Sequence, residues 1–302
     1  MNYTANELRD RPVTGALFVL GSSLTIAMLC ALVKMLSASL SNEMIVFFRN
    51  LCALVFLLPW VLHRPPSGGI KTEHFRLHLA RCASGLGAMY CFFYLIANMQ
   101  LAEAVLFTFT APLFIPIVAY LWLKEPVSPR VRNAIIIGFI GVLLILKPDR
   151  EIFRPLAFVG LGAGILVALA MVSIRRMSAS EPPVRIVFYF TLLSTPISAV
   201  PLLWSRQLPQ GDAWCLLVLI GFLAVVGQFM LTKGYSLAAA ARVGPFSYGS
   251  IIFSTLIGWL FWDETLDLLT WVGAFLICMA GIIASWSPSA REKPRDNSGA
   301  ET

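Results

Sequence analysis

Lys34-Met-Leu-Ser-Ala-Ser39 and Arg175-Arg-Met-Ser-Ala-Ser180 stand 141 residues apart and read almost alike. The same spacing lays Ile45-Val-Phe-Phe48 over Ile186-Val-Phe-Tyr189. Spacings of 139 and 140 pair Glu125 with Glu264 and Gly141 with Gly281. One such match can arise by chance in a chain of biased composition. Four in consistent order point to an internal duplication, which has to be recognised before single elements are read.

What is duplicated follows from composition. Of 302 residues, 58% are hydrophobic and only 13% charged, more apolar surface than a soluble core buries. A bilayer core of about 30 Å needs roughly 20 apolar residues per helix. Ten runs approach that length: Val13 to Leu36, Asn42 to Leu62, Leu77 to Asn98, Glu103 to Leu123, Val131 to Leu146, Leu156 to Ile174, Val184 to Trp204, Ala213 to Tyr235, Val243 to Trp262 and Leu268 to Trp286. The first run is too long for a signal-peptide core, lacks a small-residue cleavage pattern, and reads as a retained span. The six cysteines lie inside apolar runs without a CxxC pair and read as small core residues.

The net charge of +7 does not indicate a nucleic-acid partner, because the basic residues sit in short loops between apolar runs. Seventeen of the 23 Lys and Arg fall on the side of the N-terminus, the even-numbered loops and the C-terminal tail; five fall on the other side, and Arg49 is left inside the second span. This asymmetry predicts cytoplasmic termini. Five spans per repeat, an odd number, make the second repeat enter the membrane from the opposite face. The predicted fold class is therefore an all-α polytopic membrane protein, ten transmembrane helices in two inverted five-helix repeats. Residues 1–12 form a cytoplasmic N-terminus, 13–147 and 156–287 the repeats, and 288–302 a polar, disordered cytoplasmic tail. Inverted repeats are the architecture of many secondary transporters.

Interrupted helices at equivalent places in the two repeats point to a substrate site, since unwound backbone is tolerated at membrane depth only beside protein or a cavity. Span four contains Phe107-Thr-Phe-Thr-Ala-Pro112-Leu-Phe-Ile-Pro116, and span nine Val243-Gly-Pro245-Phe-Ser-Tyr-Gly249-Ser250. Pro112, Pro116, Gly244 and Pro245 are the expected helix breaks. Proline and glycine are also simply frequent in membrane helices; their occurrence in paired spans favours function. Candidate substrate-binding groups near these breaks are Tyr90 and Tyr94, which share a helix face, Thr108, Thr110, Gln228, Ser247 and Tyr248. Gln228 stands out because a buried amide needs partners.

Charge inside a membrane costs roughly 2.5 to 3.5 kcal/mol on insertion scales and marks function or a structural pair. Arg49 lies seven residues inside span two, and its repeat counterpart is Phe190. Glu103 opens span four. Both are candidates for a gating or charge role, against structural readings in which Arg49 pairs with carbonyls and Glu103 favours a helix N-terminus. Glu125 and Glu264 read as structural residues at the water boundary, and Lys34 and Arg175 as snorkelling cations. His63, His74 and His78 bear no HExxH motif or third ligand and read as headgroup contacts, so neither a metal nor a catalytic group is expected. No cofactor is implied, and no P-loop is present to couple ATP.

The chain resembles the EamA-type members of the drug/metabolite transporter superfamily from about Gly15 to Trp286. The likeness rests on the five-plus-five repeat, Lys34 to Ser37, the FFRN stretch Phe47 to Asn50, the run from Ala102 to Pro112, and the glutamates that end spans four and nine. The resemblance implies a central cavity between the halves and alternating access. It also implies a small-molecule substrate: amino acids, S-adenosylmethionine, riboflavin or amino-acid-derived metallophores. Pro245-Phe-Ser-Tyr248 resembles the S-adenosylmethionine uptake branch and is similar to metallophore exporters as well. The expected function is gradient-driven export of an amphipathic, amino-acid-like metabolite or metallophore across a bacterial inner membrane; import of S-adenosylmethionine or riboflavin is the alternative. A membrane scaffold or membrane-embedded enzyme is the competing class. The lipid bilayer is the other expected partner, and a homodimer is compatible with the sequence.

Overall fold

A computed structural model describes residues 12–63, 66, 69–124, 129–146, 155–177, 180–204, 208–237 and 244–285. The predicted N-terminal segment, the tail from residue 288, and Glu125 lie outside them. All regular structure among the described residues is helical: α1 (Pro12–Leu36), α2 (Asn42–His63), α3 (Phe75–Asn98), α4 (Leu101–Thr108), α5 (Ala111–Leu123), α6 (Pro129–Leu146), α7 (Pro155–Met177), α8 (Pro183–Ala199), α9 (Ala213–Leu237), α10 (Gly249–Trp262) and α11 (Leu268–Ser285). Short 3-10 turns follow α8 at Val200–Leu203 and precede α10 at Gly244–Tyr248. Proline opens α1, α6, α7 and α8, where its fixed φ suits a helix and its missing N–H costs nothing.

Among the described residues, seven helical stretches are long and apolar enough to cross a membrane, accompanied by three shorter apolar helices, Arg132–Ile145, Phe246–Trp262 and Leu268–Ala280. Leu203, Trp204, Leu260 and Leu268 are among many large apolar side chains left exposed, a surface that lipid and not water would cover. The protein is a polytopic, all-helical membrane protein.

Two expected breaks are confined to a finer position. Span four divides at Phe109–Thr110, between α4 and α5. Pro112 stands in the first turn of α5, where it starts the new helix. Pro116 breaks nothing: it lies inside α5, as Pro59 does inside α2 and Pro196 inside α8. A helix held by neighbours on several sides absorbs one lost hydrogen bond. Gly244 and Pro245 fall in the 3-10 turn before α10, where the tighter winding replaces α-helix.

The most extensive helix contacts follow an exchange pattern. α1 packs on α9 as α7 packs on α3; α2 touches α9 as α8 touches α3; α1 lies along α10 as α7 lies along α4 and α5. α6 pairs with α11, α2 with α8, and α4 with α10. In the α6–α11 pair a Cβ on Gly141 would come within 2.7 Å of the Gly273 carbonyl oxygen, and one on Gly273 within 2.6 Å of the Gly141 carbonyl oxygen. Only glycine permits that backbone approach at both positions. Two caps repeat as well: Lys124 ends α5 and Asp263 ends α10 with φ of 57° and 53°, and in the sequence each precedes one of the paired glutamates.

Candidate functional site

The two interrupted stretches meet. The Phe109 and Tyr248 rings lie 4.8 Å apart between centroids. These residues stand 139 apart, the spacing that relates Glu125 to Glu264, so equivalent break points touch each other. Each break is held by the first helix of the other half of the sequence. On α1, the Ser23 hydroxyl lies 3.2 Å from the carbonyl oxygens of both Phe246 and Ser247. On α7, glycines make the room: a Cβ on Gly160 would collide with the Phe107 ring, and one on Gly164 with the Thr110 hydroxyl. Thr110 and Thr108 donate to Phe107 and Val105 carbonyls at 2.6 and 2.7 Å, which satisfies carbonyls that the ending helix leaves free.

At the end of the bundle where α1 stops, Lys34 forms an ion pair with Glu264, both side chains about one-seventh exposed (13% and 14%). Lys34 Nζ also donates to the carbonyl oxygen of Met99, the C-cap of α3, at 2.8 Å. Glu264 Oε2 accepts from the Leu101 backbone N–H, the first of α4, at 2.7 Å. The cation thus sits at a helix C-terminus and the carboxylate at a helix N-terminus, each where the helix dipole favours it. Trp262 lies 5.5 Å from Lys34 Nζ, under the ammonium. Glu264, expected as a structural residue at the water boundary, and Lys34, expected as a snorkelling cation, bind each other and the α3–α4 junction.

The opposite end carries a more deeply buried knot. His78 on α3 and Glu181 before α8 have side chains only 1% and 2% exposed, with His78 Nε2 and Glu181 Oε2 3.2 Å apart. Thr72 donates to the other carboxylate oxygen, and Arg185 Nη1 lies 3.6 Å from Oε2. Arg185 also donates from Nε and Nη2 to the Gly69 carbonyl, at 3.1 and 2.7 Å, in a turn where Gly69 adopts φ of 76°. Tyr189 stacks on the His78 ring at 4.5 Å. Burial alone would raise the Glu181 pKa, but hydrogen bonds from Thr72 and His78 and the charges of His78 and Arg185 outweigh it and hold the carboxyl below its ordinary value. The expectation that His78 contacts headgroups is overturned, because its ring is enclosed between α3 and α8.

Between these ends lie two arginines. Arg49 on α2 donates from Nη1 to Asn50 Oδ1 at 2.9 Å. Arg81 on α3, which the sequence reading counted only as a loop-side basic residue, places its guanidinium 4.3 Å from the Phe190 ring centroid. Gly85 makes this possible, since a Cβ there would fall 1.9 Å from Arg81 Nη1. Arg81 Nε and Nη1 and Asn50 Nδ2 are buried without a hydrogen-bond partner. A glycine one turn beyond an intramembrane arginine is the sequence signal that could have singled out Arg81.

The remaining candidates scatter. Tyr90 lies half-buried with its hydroxyl unpartnered, whereas Tyr94 is 46% exposed. Ser247 and Tyr248 are half-buried at the second break. Gln228 is exposed on α9, so the reason for choosing it, a buried amide, does not hold. Glu103 occupies the first turn of α4, and the amide that opens that helix is bound by Glu264. Among the described residues, no group of three or more His, Cys, Asp or Glu is arranged to hold a metal ion.

Apolar helices with two interrupted members in contact, and charged knots at both ends, have the build of a membrane transporter. The EamA-like transporter family matches the chain twice, over residues 13–147 and 154–286. The chain belongs to that family. A pseudopaline exporter of Pseudomonas aeruginosa is 34% identical over 275 residues, covering 90% of this chain and 96% of its own. A riboflavin transporter of Vibrio cholerae is 26% identical over 294 residues, covering 96% of this chain and 99% of its own. A solved structure at 17% identity shares the fold with a TM-score of 0.63, covering 90% of this chain and 96% of the other. The protein is a transporter of the drug/metabolite transporter superfamily.

Proposed function

We propose that this transporter exports a small amphipathic, amino-acid-like metabolite, or a metallophore derived from amino acids, across a bacterial inner membrane. It works by alternating access between two inverted five-span halves, with both termini in the cytoplasm. The observation that carries the mechanism is the contact of equivalent break points at Phe109 and Tyr248, each held by the first helix of the other half. The exchange pattern of helix contacts supports the inverted repeat, since a pseudo-twofold relation swaps partners in this way. The knots at Lys34–Glu264 and His78–Glu181 are placed to close the two ends, and a full cycle opens them in turn. The relative named for pseudopaline export favours export of a metallophore-like cargo. Uptake of riboflavin is the second reading, favoured by the Vibrio relative.

Comparison of metabolites inside and outside cells with and without the protein fixes cargo and direction together. A compound that accumulates inside when the protein is missing supports export, and one depleted inside supports uptake. If nothing changes, and proteoliposomes pass none of the tested metabolites, a scaffold or enzyme role replaces transport. Flux that survives Tyr248→Ala unchanged would remove the break contact from the site.

A further inference from the structure

Arg49 on α2 and Arg81 on α3 are like charges on two helices in contact, and no ion pair joins either of them to a carboxylate among the described residues. Both side chains are half-buried within helices of the bundle. Arg49 is seven residues into α2, roughly 10 Å from its end. Two like charges without a counter-ion are among the costliest arrangements a membrane protein can hold, and intramembrane cations normally pair. Here donors are enclosed and unpaired: Arg81 Nε and Nη1 and Asn50 Nδ2 have no acceptor. The Phe190 ring, 4.3 Å from the Arg81 guanidinium, neutralises nothing. The fork of a guanidinium matches a carboxylate, which accepts two parallel N–H bonds.

From this geometry we infer that Arg49, Asn50 and Arg81 form an anion subsite that binds carboxylate groups of the cargo, and that the cargo carries net negative charge. The inference rests on the transport reading and deepens it by naming a substrate class. It separates a carboxylate-rich, amino-acid-derived compound from uncharged or cationic alternatives. The second half has no matching charge, because Phe190 occupies the position that corresponds to Arg49. The cargo is therefore held asymmetrically, its anionic end toward α2 and α3.

The test compares cells carrying the full chain, the chain with Arg81→Gln, with Arg49→Gln or with Arg81→Lys, and cells carrying none. Mass spectrometry of medium and cell extract identifies the metabolites whose distribution follows the protein, and immunoblots of membranes establish equal levels. The expected cargo bears carboxylates and is a net anion at neutral pH. Arg81→Gln and Arg49→Gln each lower its movement at least tenfold, while Arg81→Lys retains an intermediate rate. A neutral or cationic cargo overturns the inference and leaves transport standing, as does undiminished movement with Arg81→Gln. A cargo with phosphate and no carboxylate overturns the carboxylate assignment. If no metabolite follows the protein, the transport reading itself falls. Should the glutamine variants fail to reach the membrane, the charge of the wild-type cargo decides alone.

Discussion

The two ends of the bundle are tied by different chemistry. At the Lys34 end, one ion pair holds the tip of one helix and the start of another, using backbone groups that the α3–α4 junction would otherwise leave open. At the His78 end, side chains bind side chains, with Thr72, His78 and Arg185 converging on the Glu181 carboxylate. The first tie is about one-seventh exposed and rests on a single ion pair; the second is almost dry and must find new partners for several groups at once. The contrast teaches that the two ends of one bundle carry unlike locks, and that the His78 end is the harder to open.

The comparison breaks most readily at Glu181. Glu181→Ala leaves Arg185 and His78 without their carboxylate and is expected to lower stability by about 3–5 kcal/mol. Thermal unfolding of the purified protein measures this, and a loss under about 1 kcal/mol would mean the knot is not the tighter of the two. Glu264→Gln should cost about 2 kcal/mol and show as a roughly thirtyfold faster hydrogen exchange in the first turn of α4, read by mass spectrometry. Unchanged exchange there would detach Glu264 from the junction.

Acid distinguishes the ends more gently. The Glu181 carboxyl titrates below its ordinary 4.5 in the folded protein, so its contribution is complete above that pH and is lost as pH falls through the lowered value. The wild-type melting temperature should therefore fall more steeply than that of Glu181→Gln on acidification below about pH 4.5; parallel curves would contradict the shift. Phe109→Ala, between the ends, should cost about 1 kcal/mol of ring contact and lower flux in proteoliposomes. Tyr94→Ala is expected to change stability by less than about 0.5 kcal/mol and leave flux alone, because nearly half of that side chain faces outward. A large loss of flux would restore Tyr94 to the site.

Helix positions were legible because hydropathy and proline mark them directly: α2, from Asn42, ends one residue from its predicted limit. The break in span four was legible as a region and not as a residue, since proline disrupts an interior turn but fits a first turn, and only packing decides which applies to Pro112 and Pro116. Lys34 and Glu264 were each visible as boundary charges, yet 230 residues separate them and no local pattern announces the pair. Gln228 was expected to be buried and is exposed, because periodicity in a uniformly apolar helix does not say which side packs inward. Arg81 was missed for a related reason: its depth is set by the start of α3 at Phe75, two residues before the predicted start.

The glycine contact between α6 and α11 bears on motion. In the proposed exchange of open ends, helices shift past one another where the side chains between them can yield. Gly141 and Gly273 meet backbone to backbone, with no side chain between them to bend. Bare peptide against bare peptide leaves nothing to compress, so α6 and α11 would travel as one piece while the helices that end at Lys34 and begin near His78 change partners around them.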